Sequence, residues 1–223
     1  MRRSTLRPLA LGAVLVGLAG PVVAEATPVA RTCRIVTDGK GDARDLVGVE
    51  ANGPNQPNVD ITSVDVASDR RNFTTVLRVA SLGTALEAAP HGAVYFVSFH
   101  LGDTDYYTAA ARFVDGESFS IQGGSAPEGS SPVDGLFGTN GAVATGVFDV
   151  AHNEVRVSVP LSLLMKDGPV TPGRPVTDVA AVTYVTVGVR HALGTQAGSR
   201  ADRTDGRPGT YTLGAPSCVS PGR

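Results

Sequence analysis

The amino-acid sequence predicts an all-β protein: one antiparallel β-sandwich, jelly-roll-like, preceded by an export leader. Three observations predict it. Several runs alternate apolar and polar residues with period two, the mark of strands with one buried face. Short polar turns join those runs, as they do between antiparallel neighbours. Beyond the leader, no stretch keeps apolar residues at helical spacing for three turns.

The leader comes first. Arg2, Arg3 and Arg7 precede an apolar stretch, 9–19, that is too short to span a bilayer comfortably. Ala24 and Ala26 supply the small residues that signal peptidase reads. Cleavage is expected after Ala26, with Ala24 as the alternative, which makes 1–26 a signal peptide and 27–223 the domain. The basic segment fits Sec export better than the twin-arginine route. Pro21 stands where a lipoprotein would carry cysteine, so no lipid anchor is expected. The rest of the chain holds no second apolar run long enough for a membrane, and the expected location is secreted, extracellular or associated with the cell wall.

Composition narrows the class further. With 19 basic and 21 acidic side chains and a formal charge of −2, there is no excess positive charge for a nucleic-acid footprint. The 27 glycines and 15 prolines fall short of the share that marks disorder, and they follow no collagen period.

In the domain, the clearest strands are 72–79, where Phe73, Thr75, Leu77 and Val79 share a face, and 154–159, where Val155, Val157 and Val159 do. In the run 106–113, Tyr107, Ala109, Ala111 and Phe113 form the apolar row, which assigns Tyr106, Thr108 and Arg112 to a wetter face. The runs 59–66, 93–101, 142–150 and 176–187 are β-rich but less regular. The first changes phase between Ile61 and Val64, which predicts a bulge. Residues 160–164 form a short helical turn opened by proline. Long loops are expected at 50–58, 122–141 and 194–210.

Cys33 and Cys218 are the only cysteines, near the two ends of the domain. In an exported protein such a pair reads as a disulfide. Closing so long a loop removes about 5 kcal/mol of chain entropy from the unfolded state. The bridge would also set the first and last strands side by side.

Several pieces then resemble one family. Asp38-Gly39-Lys40-Gly41-Asp42 is followed by Val59-Asp60-Ile61 and a strand, then a turn at Ser68-Asp69 and a second alternating strand. Later come Val159-Pro160-Leu161-Ser162-Leu163-Leu164 and Ala201-Asp202 before Tyr211. This pattern resembles the exported sandwich modules related to family-nine carbohydrate-binding modules and DOMON-like domains. The resemblance implies a jelly-roll-like sandwich, structural calcium, and in some members a sugar or a haem site. The chain departs from both ligand patterns: it has no tryptophan, and Met165 is the one methionine after the leader. As a haem ligand Met165 would need a facing histidine; packing is its more economical role.

Asp38, Asp42 and Asp60 are the expected calcium ligands, because a glycine-rich loop lets carbonyls turn inward beside carboxylates. Asp202 and Asp205 would reach the same edge if the two ends of the domain meet. The histidines, His91, His100, His152 and His191, show no zinc spacing, and neither G-x-S-x-G, G-x-G-x-x-G nor a P-loop occurs. No enzyme is expected. Tyr106, beside Arg112 on the wetter face, is the tentative ligand contact, an aromatic ring able to stack on a sugar. The expected function is a secreted, non-enzymatic binding or interaction module directed at extracellular or cell-wall glycan or at an envelope protein. The alternatives are a purely structural envelope or matrix domain braced by the disulfide and calcium, and a haem-carrying electron-transfer domain.

Overall fold

The structure, a computed structural model, describes residues 32–43, 55–83, 91–113, 116–123, 142–164, 170–187, 199–205 and 208–214. In chain order the strands are β1 (Cys33–Thr37), β2 (Ile61–Ser68), β3 (Asn72–Val79), β4 (His91–Leu101), β5 (Thr104–Phe113), β6 (Gly116–Gly123), β7 (Ala142–Val143), β8 (Thr145–Asp149), β9 (Glu154–Pro160), β10 (Pro175–Val187), β11 (Ser199–Arg203) and β12 (Tyr211–Thr212). A single 3₁₀ turn, Leu161–Leu164, follows β9, where Pro160 ends the strand. Among the described residues no helix is long and apolar enough to cross a membrane.

Two antiparallel sheets result. One has the order β1-β2-β3-β9-β8; the other runs β11-β10-β4-β5-β6-β7, with β12 also paired to β10. Valine, threonine and isoleucine at alternate positions suit these pleated, half-buried surfaces. The sheets pack face to face. Phe73, Leu77 and Val79 of β3 and Val155, Val157 and Val159 of β9 meet Tyr95, Phe99 and Tyr106 of the opposite sheet in one continuous core. Phe73 and Phe99 lie 4.7 Å apart between ring centroids. Thr75 and Thr108 satisfy each other's hydroxyls across the interior at 2.8 Å, as buried polar atoms require. The phase change after Ile61 is present: the β2–β3 register shifts between Ile61 and Ser63.

Three expectations need correction. The alternation in β5 is as the sequence indicates, but its faces are exchanged. Tyr106, 1% exposed, points into the main core, where it stacks on Phe99 and donates its hydroxyl to the Leu164 carbonyl at 2.9 Å. The apolar row Ala109, Ala111 and Phe113 faces outward and forms a second cluster with Val94 and Phe96, against which Tyr107 packs. The interior accepts the more polar face of β5 because hydroxyl pairing and the Leu164 carbonyl satisfy it.

The second correction concerns the domain ends. β1 pairs with β2, and β12 with β10, so the first and last strands belong to different sheets. Among the described residues, Gly209, two residues before β12, donates its N–H to the Ile35 carbonyl of β1 at 2.7 Å. Third, the segment 194–210 is not all loop. β11 pairs with β10 through its backbone although its sequence, Ser-Arg-Ala-Asp-Arg, carries no alternating apolar signal. β6 extends through Gln122 to Gly123, two positions expected in the second long loop. Cys33 is buried. Cys218, Met165 and residues 1–26 lie outside the described residues.

The face of the five-stranded sheet that points away from the core is closed by charge. Arg78 spans two carboxylates, holding Asp65 at 2.5 Å and Glu154 at 2.7 Å. Arg34 approaches Asp65 from β1, and Arg156 pairs with Glu154. Asp65 and Glu154 are consequently buried on a face that the alternation alone would leave wet.

Candidate functional site: an acidic nest at one edge of the sandwich

Three segments far apart in sequence converge beside the end of β1: the loop 38–43, the loop 55–60 and β11 with the residues after it. Asp38 N–H donates to the Thr62 carbonyl, which sets the first loop against β2. Gly41 takes a φ of 91°, a conformation glycine adopts without strain, and from there its N–H donates to Asp60 Oδ2 at 2.8 Å. Asn55 Nδ2 donates to the same oxygen at 2.9 Å. From the other sheet, Asp202 Oδ2 accepts the Ile61 N–H at 2.6 Å and Asp202 Oδ1 the Arg203 N–H at 2.7 Å.

The result brings one carboxylate oxygen each of Asp42, Asp60 and Asp202 within 4.8 Å of one another. Asp60 is 1% exposed, and its Oδ1 is buried with no hydrogen-bond partner; neither has Asn55 Oδ1. Buried acceptors are rarely left unpaired, and here the unmet ones are oxygens beside like charges. A hard cation answers both requirements. Calcium takes six to eight oxygen ligands, carboxylates, amide carbonyls and water among them. Asp42, Asp60 and Asp202 would hold it, and its double positive charge would offset most of theirs.

Of the expected ligands, then, Asp42 and Asp60 stand in the nest. Asp38 stands beside it rather than in the triad, with its Oδ1 accepting the Asp205 N–H at 3.4 Å. Asp202 takes the third corner. Asn55 was not anticipated; the polar run Asn55-Gln56-Pro57-Asn58 reads as an ordinary turn, and only the fold aims it at Asp60.

The charge crowding shows in protonation. Asp38 is pushed up from 3.8 to about 7, first by burial and then by the Asp205 carboxyl, with the Asp202 charge adding and backbone N–H groups opposing. Asp202 is pushed up to about 6 by burial, against the N–H groups of Ile61 and Arg203, with the charges of Asp42 and Asp60 adding. Both folded-state values exceed the unfolded ones, so the cation-free folded state binds more protons between about pH 4 and about pH 7. The nest's contribution to stability therefore falls as pH rises through that window. Thermal melts in chelator should show Asp38→Asn raising the melting temperature more at about pH 7 than at about pH 5. An equal effect at both would contradict the crowding.

The other expected residues lie elsewhere. Arg112 donates to the Gly83 carbonyl at 3.0 Å, pairs with Glu117 at 3.2 Å and lies over the Phe148 ring, so its guanidinium is engaged in packing. With Tyr106 inside the core, the pair does not form a ligand contact. His100 pairs with Asp105 at 2.9 Å and His152 with Asp149 at 2.8 Å, both at exposed hairpin ends. The Asp105 hydrogen bond raises the His100 pKa, and the His152 hydrogen bond lowers that of Asp149. His191 lies outside the described residues, as does the side chain of His91. No family model, no curated protein and no solved structure matches this chain.

Proposed function

We propose that the chain is an exported, non-enzymatic β-sandwich module, braced by calcium at the edge where the two sheets meet and serving as a binding or interaction domain outside the cell. The observation that carries the brace is Asp60: a buried carboxylate with an unpaired oxygen, facing two further carboxylates across 4.8 Å or less. The ion would tie β11 of one sheet to the loops flanking β1 and β2 of the other. The basic and apolar leader supports export, and the jelly-roll-like kinship with family-nine carbohydrate-binding and DOMON-like modules is part of the same reading. So is a bridge from Cys33 to Cys218, the only two cysteines of an exported chain. Glycan or an envelope protein is the partner class.

The experiment is a thermal melt of the secreted protein with calcium, with magnesium and with chelator. Calcium should raise the melting temperature above the chelated value, and magnesium should do less, because it demands a near-ideal octahedron and sheds water reluctantly. A melt indifferent to chelator sinks the brace. Non-reducing mass spectrometry should find no free thiol; two free thiols would end the bridge.

A further inference from the structure

The outward face of the seven-stranded sheet carries a second feature. Val94, Phe96, Ala109, Ala111 and Phe113 are buried there, while Tyr107, Val182 and Tyr184 are only partly so. At the partly open end lies a cavity of about 230 Å³ whose lining includes Phe96, Ser98, Tyr107, Val182, Tyr184 and Arg203. The strand register explains its shape. Val182 lies opposite both Phe96 on β4 and Arg203 on β11, and Ser98 lies opposite Tyr107 on β5. Arg203 and Tyr107 are thus three strands apart and two residues out of register, about 16 Å between Cα positions at the usual strand spacing and rise. Between them β10 and β4 provide a low floor of Val182, Ser98 and Phe96. Tyr184 stands edge-on to Phe96, with centroids 5.6 Å apart.

The charge at one wall is specific. Arg203 is exposed and, like Arg70, Arg71 and Arg174, has no ion-pair partner among the described residues; of these four it is the one that lines the cavity. Its position is fixed from below: Asp202, the preceding residue, points the other way into the acidic nest, and its Oδ1 accepts the Arg203 N–H. A planar fork of donors at one wall, aromatic faces at the other and an apolar floor match one kind of ligand.

The geometry points to this cavity as a binding site for a carboxylate carried on a six-membered ring. The ring lies over Val182 between the partly open tyrosines, and the carboxylate takes two parallel hydrogen bonds from Arg203. The cavity is smaller than the roughly 300 Å³ at which most ligand clefts begin, so it accepts one ring rather than a length of chain. Two sources carry this chemistry: a uronic-acid unit of an acidic glycan, and a free aromatic carboxylate. The inference rests on the binding-module reading above and names the face and ligand class for it.

The test is equilibrium binding by calorimetry or NMR on the full, calcium-supplied, oxidised protein, with glucuronate, glucose, benzoate and benzyl alcohol as probes. At least one carboxylate should bind, with its neutral counterpart weaker by about tenfold or more, the usual worth of a hydrogen bond to a charged group. Arg203→Gln should cost a similar factor and leave the melting temperature unchanged, since that side chain is exposed. Tyr107→Ala should weaken the same probe. Glucuronate alone identifies the glycan source, benzoate alone the free aromatic acid, and binding of both supports the shared chemistry. Failure of all four probes, equal affinity for acid and neutral counterpart, or an unaffected Arg203→Gln overturns the site. A melt indifferent to chelator would remove the calcium brace and leave this result standing, so the two readings fail separately.

Discussion

Asp60→Asn should raise the melting temperature of the cation-free protein and, in the same variant, erase the gain that calcium confers. The opposite signs follow from the geometry. Asp60 Oδ2 already accepts from Gly41 and Asn55, and an asparagine carbonyl set in its place keeps both bonds. The amide nitrogen then replaces Oδ1, the buried oxygen without a partner, and turns a donor toward carboxylates instead of a third negative charge. That relieves repulsion in the empty nest. With calcium the same change removes a charged ligand at the centre of the cluster. At a free calcium level about one hundred times the dissociation constant, a single site stabilises the native state by about 2.7 kcal/mol. For a domain of this size that is about 5–10 °C in melting temperature, all of which the variant should lose. Melts of both proteins in calcium and in chelator decide it. A variant destabilised equally in both conditions would mean that Asp60 serves packing alone.

How much of this was legible beforehand depends on which forces write themselves into sequence. Period two is written there directly, because a half-buried strand must alternate; β3, β5, β9 and the phase change in β2 could all be read. The sign of the alternation in β5 could not. Tyr106 and Thr108 look like a wet face, yet the Leu164 carbonyl and the Thr75 hydroxyl, 58 and 33 residues away, satisfy them inside the core. Long-range polar partners leave no local trace. β11 was hidden for a related reason: an edge strand held by backbone bonds needs no apolar rhythm. The nest was half visible. Asp42 sits in a glycine-rich loop and Asp60 leads a strand, both recognisable, whereas Asn55 and Asp202 join them only because two sheets close on one another.

The second large effect should come from Arg78, where the cost of a substitution belongs mainly to what it leaves behind. Burial alone would lower the pKa of this guanidinium, but Asp65 and Glu154 more than offset it, so the charge is firmly held. Arg78→Met keeps most of the side chain's length and apolar contact while stranding two buried carboxylates; the side chains of Asp65 and Glu154 are 6% and 8% exposed. Breaking a buried pair from one side costs about 3–5 kcal/mol. Because Arg34 still reaches Asp65 and Arg156 still reaches Glu154, the lower end, about 3 kcal/mol, is expected here. Adding Asp65→Asn and Glu154→Gln to Arg78→Met should then recover more than half of the loss, since three changes together remove the charges that one change orphaned. Chemical denaturation of the single and triple variants measures both quantities. A triple variant less stable than the single one would show that the ion pairs themselves, rather than the avoidance of stranded charge, hold this face of the sheet.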